Sequence, residues 1–362
     1  MPLTTCMAMT TSQKIMRDDG ENLVKQYLGD LQEHQNVKTV VLVVRKSVAR
    51  SRKDKEYIAL KIRDKSAEMS AHIWDNVEAY RDRFKENDYV LIKGRVVSFQ
   101  GILQLNVFHL EPFQGEVDPR DFLPQTEKNI GNMKLVLRNA VEEVKNEWLV
   151  RLLKEFFLRD KDFQGCFELA PAAKSMHHAW LGGLLEHTVG VLQLAQQVAP
   201  LYPYLDQDLL VAGALLHDIG KVEELSYEKS FGYTSRGRLL GHIVIGVEMV
   251  REKAAKISGF PPSLLMLIEH LLLSHHGEYQ WGSPKRPKIP EAILLHYLDD
   301  LDAKLNSIAS FCSGQRENGA TWTNYNKVFE RYFLLDRNID MGDKAEEETK
   351  SDPSPPENPM LF

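Results

Sequence analysis

The run Asp208-Leu-Leu-Val-Ala-Gly-Ala-Leu-Leu-His-Asp-Ile-Gly-Lys221 carries the strongest structural signal in this 362-residue chain. Residues 209–216 are apolar around the whole helical circumference, so the pattern predicts a helix buried on every side. A buried helix that ends in His217-Asp218 puts an imidazole and a carboxylate where an unpaired charge is costly, and a cation relieves that cost. Gly220 is expected to close the helix in a left-handed conformation. Lys221 lies four residues beyond His217 on the same face, within reach of an anionic oxygen.

The surrounding sequence repeats the theme. Nine of the twelve histidines fall between His177 and His296. His187 sits in Leu184-Leu-Glu-His-Thr188, thirty residues before His217. His242 follows Gly241 at the start of an apolar run, and His275-His276 precede Gly277 at the end of another. Asp299 lies in His296-Tyr-Leu-Asp-Asp-Leu-Asp-Ala303, beside Asp300 and Asp302. Imidazoles clustered with aspartates are the donor set of a divalent metal of intermediate hardness. A single His on an apolar helix is more often a hydrogen-bonded core residue, and His34, His270 and His296 are read that way. Asp302 is read as a capping or pairing residue and ranks below Asp299. His217-Asp218 alone is a weak motif, but its ordered company makes coincidence the minority explanation.

Upstream, the pattern changes to period two. Residues 37–44, 56–63, 68–74, 89–97 and 102–110 alternate or are β-branched, with a turn at Gln100-Gly101 and a short helix over 77–85. Five strands with one helix between the third and fourth match a small OB-type barrel. Residues 37–113 hold 15 Lys plus Arg against 10 Asp plus Glu, a local charge of +5 in a chain whose total is −6. A basic module on an acidic protein is where a polyanion docks. Tyr57, Lys61, Arg63 and Trp74 are expected on the outward face, able to stack bases and neutralise phosphates. The competing reading packs Trp74 under the 77–85 helix and makes residues 45–53 an exposed basic loop.

The expected organisation is an N-terminal arm over 1–36, helical or loosely docked, and a barrel over 37–113. A Pro-rich linker at 114–126 leads to a helical domain over 127–339, its helices running to about 335, and 340–362 is an acidic disordered tail. Three distant cysteines exclude a disulfide framework and a thiolate zinc knuckle. No apolar run approaches the roughly 18–20 residues of a membrane span, and the N-terminus lacks the apolar core of a signal peptide. A cytoplasmic protein without membrane partners is expected.

The order His187, His217-Asp218, His242, His275-His276, Asp299 resembles the HD superfamily of metal-dependent phosphohydrolases in its two-metal form. Together with Ala170-Pro-Ala-Ala-Lys-Ser-Met-His-His-Ala-Trp-Leu-Gly-Gly-Leu-Leu-Glu-His-Thr188 and the barrel upstream, it resembles the YhaM-like 3′→5′ exoribonucleases over residues 37–335. The resemblance implies a multidomain α and β fold: a five-stranded OB-type β-barrel followed by an all-α HD-type helical domain. It also implies two divalent ions. His187, His217, Asp218 and Asp299 would hold one, and Asp218 would bridge to a second held by His242, His275 and His276. Manganese comes first, with magnesium, iron, cobalt, nickel and zinc as alternatives. Lys221 would act with Asp218 in catalysis by neutralising a phosphate oxygen, and Lys174, His177 and His178 would contact the substrate near its 3′ end. Met176 departs from the polar residue expected before His177-His178. The implied reaction is hydrolysis of terminal phosphodiesters of single-stranded RNA, or single-stranded DNA, to nucleoside 5′-monophosphates. Two other readings compete: a phosphohydrolase of free or cyclic nucleotides, and an RNA-binding scaffold with a structural metal. Oligomeric state is left open.

Overall fold

The computed structural model describes residues 14–16, 22–174, 178–315 and 320–336. Among these, the chain up to Glu127 together with Leu225–Tyr233 forms one compact unit, and Lys128–Glu224 with the chain from Thr234 onward forms the other.

The first unit is built on a closed five-stranded barrel: β1 (Asn36–Arg50), β2 (Glu56–Arg63), β3 (Glu68–Ile73), β4 (Tyr89–Phe99) and β5 (Ile102–Pro112). Its order is β1-β2-β3-β5-β4, antiparallel except for the parallel β3–β5 pair. Closure depends on the length of β1. Its first half pairs with β4 and its second with β2, and a bulge between Val43 and Arg45 turns the strand. The basic run from Arg45 is therefore strand as far as Arg50, which corrects the reading of 45–53 as a loop. The turn at Gln100-Gly101 joins Phe99 to Ile102 with both central residues left-handed (φ 52° and 80°), the geometry a two-residue hairpin requires. Alternation carries Ile58, Leu60 and Ile62 into the core and Tyr57, Lys61 and Arg63 outward. Helix α1 spans Val77–Arg81, shorter than the 77–85 expected.

The arm is not helical where it is described. Asn22–Val24 pairs with Lys14–Met16, and a 3₁₀ turn at Leu28–Asp30 puts Leu28 and Leu31 into the barrel core. Nor is 114–126 a free linker. Asp118 caps a 3₁₀ turn at Pro119–Asp121, and Phe122 and Leu123 are fully buried. His34 is an exposed left-handed residue (φ 69°) rather than a core one.

The second unit holds α2 (Ile130–Glu143), α3 (Glu147–Lys154), α4 (Lys161–Leu169), α5 (Gly183–Val198), α6 (Gln207–Leu216), α7 (Lys221–Glu224), α8 (Ser235–Ala255), α9 (Pro262–Ser274) and α10 (Pro290–Ser313). Helix α6 is the hub. Asp206 caps it by accepting from the Leu209 N–H at 3.0 Å, and α3, α5, α9 and α10 pack around it. All its apolar residues except Val211 are buried. Gly213 lets α9 and α10 close in, since a Cβ there would meet Leu271 at 2.9 Å and Leu295 at 3.1 Å. A π-helical turn at Glu155–Arg159 brings Phe156 and Phe157 against Phe163 and Phe167. The second unit is not continuous through 127–339, because the β6 (Leu225–Ser226) and β7 (Gly232–Tyr233) hairpin belongs to the first. After Ser313 no described residue is helical. Residues 320–336 form bridges at Trp322–Leu334 and Asn326–Arg331 instead. The expected tail at 340–362 lies outside the described residues. No helix among the described residues is long and apolar enough to cross a membrane.

Candidate metal centre

Helix ends deliver the site. His187 projects from the first turns of α5, and His217-Asp218 follow the last residue of α6. His275-His276 follow α9, and Asp299 comes from mid-α10. His242 depends on a break within α8, where Gly241 (φ 73°, ψ 158°) interrupts the helical path and His242 begins again beyond it. Gly220 does not close α6 in a left-handed conformation. It is small because α8 passes against it: a Cβ would lie 2.0 Å from the His242 carbonyl oxygen and 2.8 Å from the Gly246 nitrogen.

Five imidazoles share one orientation. Each turns Nδ1–H outward: His187 to Asp302 Oδ2 (2.8 Å), His217 to the Ala214 carbonyl (3.0 Å), and His242 to Glu224 Oε1 (3.2 Å). His275 donates to the Leu272 carbonyl (2.7 Å) and His276 to the Trp281 carbonyl (3.1 Å). That fixes the tautomer that leaves Nε2 with its lone pair for the interior. Asp218 stands between two groups. Its Oδ2 faces His187 Nε2 (3.5 Å) and His217 Nε2 (3.4 Å), and its Oδ1 faces His242 Nε2 (3.5 Å) and His275 Nε2 (3.7 Å). Asp299 Oδ1 lies 3.1 Å from His187 Nε2. Asp218 Oδ1, His242 Nε2 and His275 Nε2 are buried without a hydrogen-bond partner, and Asp218 Oδ2 is met by the Lys221 ammonium. Buried polar groups are ordinarily satisfied, so this inward set fits metal coordination. His187, His217 and Asp218 can converge on one ion, and His242, His275 and His276 on another.

Electrostatics separates the two halves. Burial lowers His275 well below the ordinary histidine range and brings His276 to about 4, helped by neighbouring imidazoles. Both rings are thus held neutral, as ligands must be. Burial also opposes a charged His187, but its bonds to Asp299 and Asp302 outweigh that and raise it to about 10. Positive charge is favoured in that half, as a proton or as a metal. Asp218 is held well below the carboxylate range despite burial, chiefly by Lys221 and His217. Lys221 Nζ is 2.6 Å from Asp218 Oδ2.

The remaining residues fall differently. His178 is buried (1% exposed) on the outer side of His187, with Nε2 3.1 Å from Asp302 Oδ2. Lys174 is exposed, and Met176 and His177 lie outside the described residues. His270 accepts from the Lys288 N–H and His296 donates to the His275 carbonyl, both in supporting roles. Sequence reasoning ranked Asp302 too low and missed Glu224. Asp302 was legible as the i+3 neighbour of Asp299 on one helix face. Glu224 had no signal, because only the break at Gly241 brings His242 to it. On the barrel, Trp74 stacks on Tyr57 (centroids 4.5 Å apart, 26° between planes) and His72 (5.6 Å), and donates Nε1–H to Asn106 Oδ1 (3.1 Å). Lys61 and Arg63 are both paired with Glu68.

Residues 184–304 match the family model described as HD domain, and residues 37–113 match the OB-fold nucleic acid binding domain. The chain is 38% identical over 254 residues to the 3′-5′ exoribonuclease YhaM of Bacillus subtilis (strain 168), covering 70% of this chain and 80% of that one. The same protein of Listeria innocua is 38% identical over 255 residues, covering 70% and 80%. That of Geobacillus sp. is 35% identical over 278 residues, covering 76% and 84%. By this identity along most of both chains, the protein belongs to the YhaM exoribonuclease family.

Proposed function

We propose that this protein is a metal-dependent 3′→5′ exoribonuclease that releases nucleoside 5′-monophosphates from single-stranded RNA. The observation that carries the reading is the division of Asp218, one oxygen toward His187 and His217 and the other toward His242 and His275. His187, His217, Asp218 and Asp299 hold one ion, and Asp218, His242, His275 and His276 hold the other. Nitrogen-rich ligation with carboxylates suits manganese, and iron, cobalt, nickel or zinc by the same chemistry, better than magnesium. When bound, such a pair of ions supplies Lewis-acid activation of water and charge neutralisation for in-line phosphoryl displacement.

The protein's own groups do the rest. The imidazoles hold their Nδ1–H groups on outward partners, so the ring orientations that turn Nε2 toward the centre are fixed before anything binds. Lys221 holds a half-buried ammonium beside Asp218, where it offsets charge on a phosphate oxygen. On the barrel, the Tyr57–Trp74 stack offers a surface for bases, with Lys61 and Arg63 on the same outward face.

RNA labelled at its 5′ end, incubated with manganese, tests this. Wild type should shorten it stepwise from the 3′ end and stop on addition of a chelator. The His217→Ala, Asp218→Ala double variant should lose at least ~100-fold in rate, since it removes ligands outright. A double variant that digests at the wild-type rate contradicts the reading.

A further inference from the structure

Each half of the centre contains one imidazole whose outward proton goes to a carboxylate. His187 donates to Asp302 and His242 to Glu224, whereas His217, His275 and His276 donate to main-chain carbonyls. The Asp302 carboxylate sits in space that glycine leaves open. A Cβ at Gly190, three residues along α5 from His187, would lie 2.4 Å from Asp302 Oδ1. The left-handed Gly241 aims the His242 N–H at Glu224 Oε1 (3.0 Å), so Glu224 fixes both backbone and ring of His242. Asp302 is likewise fixed twice, because its Oδ2 also meets His178 Nε2 at 3.1 Å. His178 is itself buried and left-handed (φ 48°), and its carbonyl leaves no room for a Cβ on Gly183.

We infer that Asp302 and Glu224 are separate positioning residues, one for each ion, so that the two ions are retained independently. The inference rests on the two-ion reading above. A carboxylate partner orients the ring and raises its basicity more than a carbonyl does, so each anchored imidazole sets the affinity of its half.

The test is calorimetric titration of metal-free full-length protein with manganese chloride, with bound manganese counted by elemental analysis after desalting. Wild type should take up two ions per chain. Asp302→Asn should keep one site at wild-type affinity and weaken the other about 10- to 100-fold, and Glu224→Gln should do the same to the opposite site. Combining Asp302→Asn with His217→Ala should cost no second ion, whereas combining it with His276→Ala should weaken both. Gly190→Ala, which keeps the carboxylate but crowds it, should reproduce Asp302→Asn in milder form. A two-ion wild type whose single variants weaken both sites alike, or neither, overturns the inference alone. Wild type binding fewer than two ions overturns the reading of the centre and this inference with it.

Discussion

Glu68 limits what the barrel can offer a polyanion. Its Oε2 lies 2.6 Å from Lys61 Nζ, and its Oε1 accepts from Arg63 Nε at 2.7 Å, so one carboxylate engages both cations of the outward face. The three side chains are partly exposed, so the pairs add little stability, but they compete directly with phosphate. Glu68→Gln should tighten binding to single-stranded RNA and steepen the dependence of log K on log salt by up to ~1.4, two cations at ~0.7 each. Fluorescence anisotropy across a salt series measures this, and an unchanged slope refutes it. Lys25 is the contrasting case. It is buried, donates to the Val40 carbonyl and lies 4.2 Å from the Phe122 ring centre. Burial lowers it to about 8 even with Asp64 nearby. Between pH 8 and 10.5 the unfolded chain therefore binds the proton that the folded one has released, and stability rises with pH. Relative to Lys25→Met, wild type should gain up to about 3 kcal/mol across that window. Urea unfolding at pH 7 and pH 10 measures the difference, and parallel stabilities would show that burial does not govern this lysine.

At the scale of elements, glycine decides how closely helices approach the centre. Gly220→Ala would force a Cβ into the backbone of α8 at His242, where no side-chain adjustment makes room. It should destabilise the protein by roughly 1–3 kcal/mol. It should also weaken metal uptake by displacing His242. Denaturant unfolding reads the first effect, and wild-type stability would contradict the packing described. The same residue shows where sequence reading stops. A glycine after an apolar run signals a left-handed cap, but close approach of another helix demands glycine equally, and one sequence does not distinguish them. The imidazoles were legible because each closes or opens an apolar run. Glu224 was not, since helical periodicity does not encode the break that carries His242 to it. Residues 320–336 misled in the opposite way. Val328, Phe329, Tyr332 and Phe333 mimic a helical stripe, but Asn326 Oδ1 accepts from the N–H groups of Val328 and Phe329 and favours a turn. Prolines at 112, 119 and 124 suggested a linker, whereas Phe122 and Leu123 between them are core residues.

Across the whole molecule, charge is divided between the modules. Residues 37–113 carry +5 and the rest −11. On the proposed function, long RNA should gain affinity from the barrel, whereas a few nucleotides should need only the metal centre. The Tyr57→Ala, Trp74→Ala double variant should lose roughly 1–3 kcal/mol of affinity for each base no longer stacked on long RNA. It should cut very short oligonucleotides at the wild-type rate. Equal binding of long RNA by both proteins would remove the barrel from substrate recognition. On the proposed function, distant helix ends assemble one centre for a pair of cations. Anomalous diffraction from manganese-soaked crystals tests it most directly. Two peaks are expected, one enclosed by His187, His217, Asp218 and Asp299, the other by Asp218, His242, His275 and His276. Peaks elsewhere on the protein, or none, would contradict it.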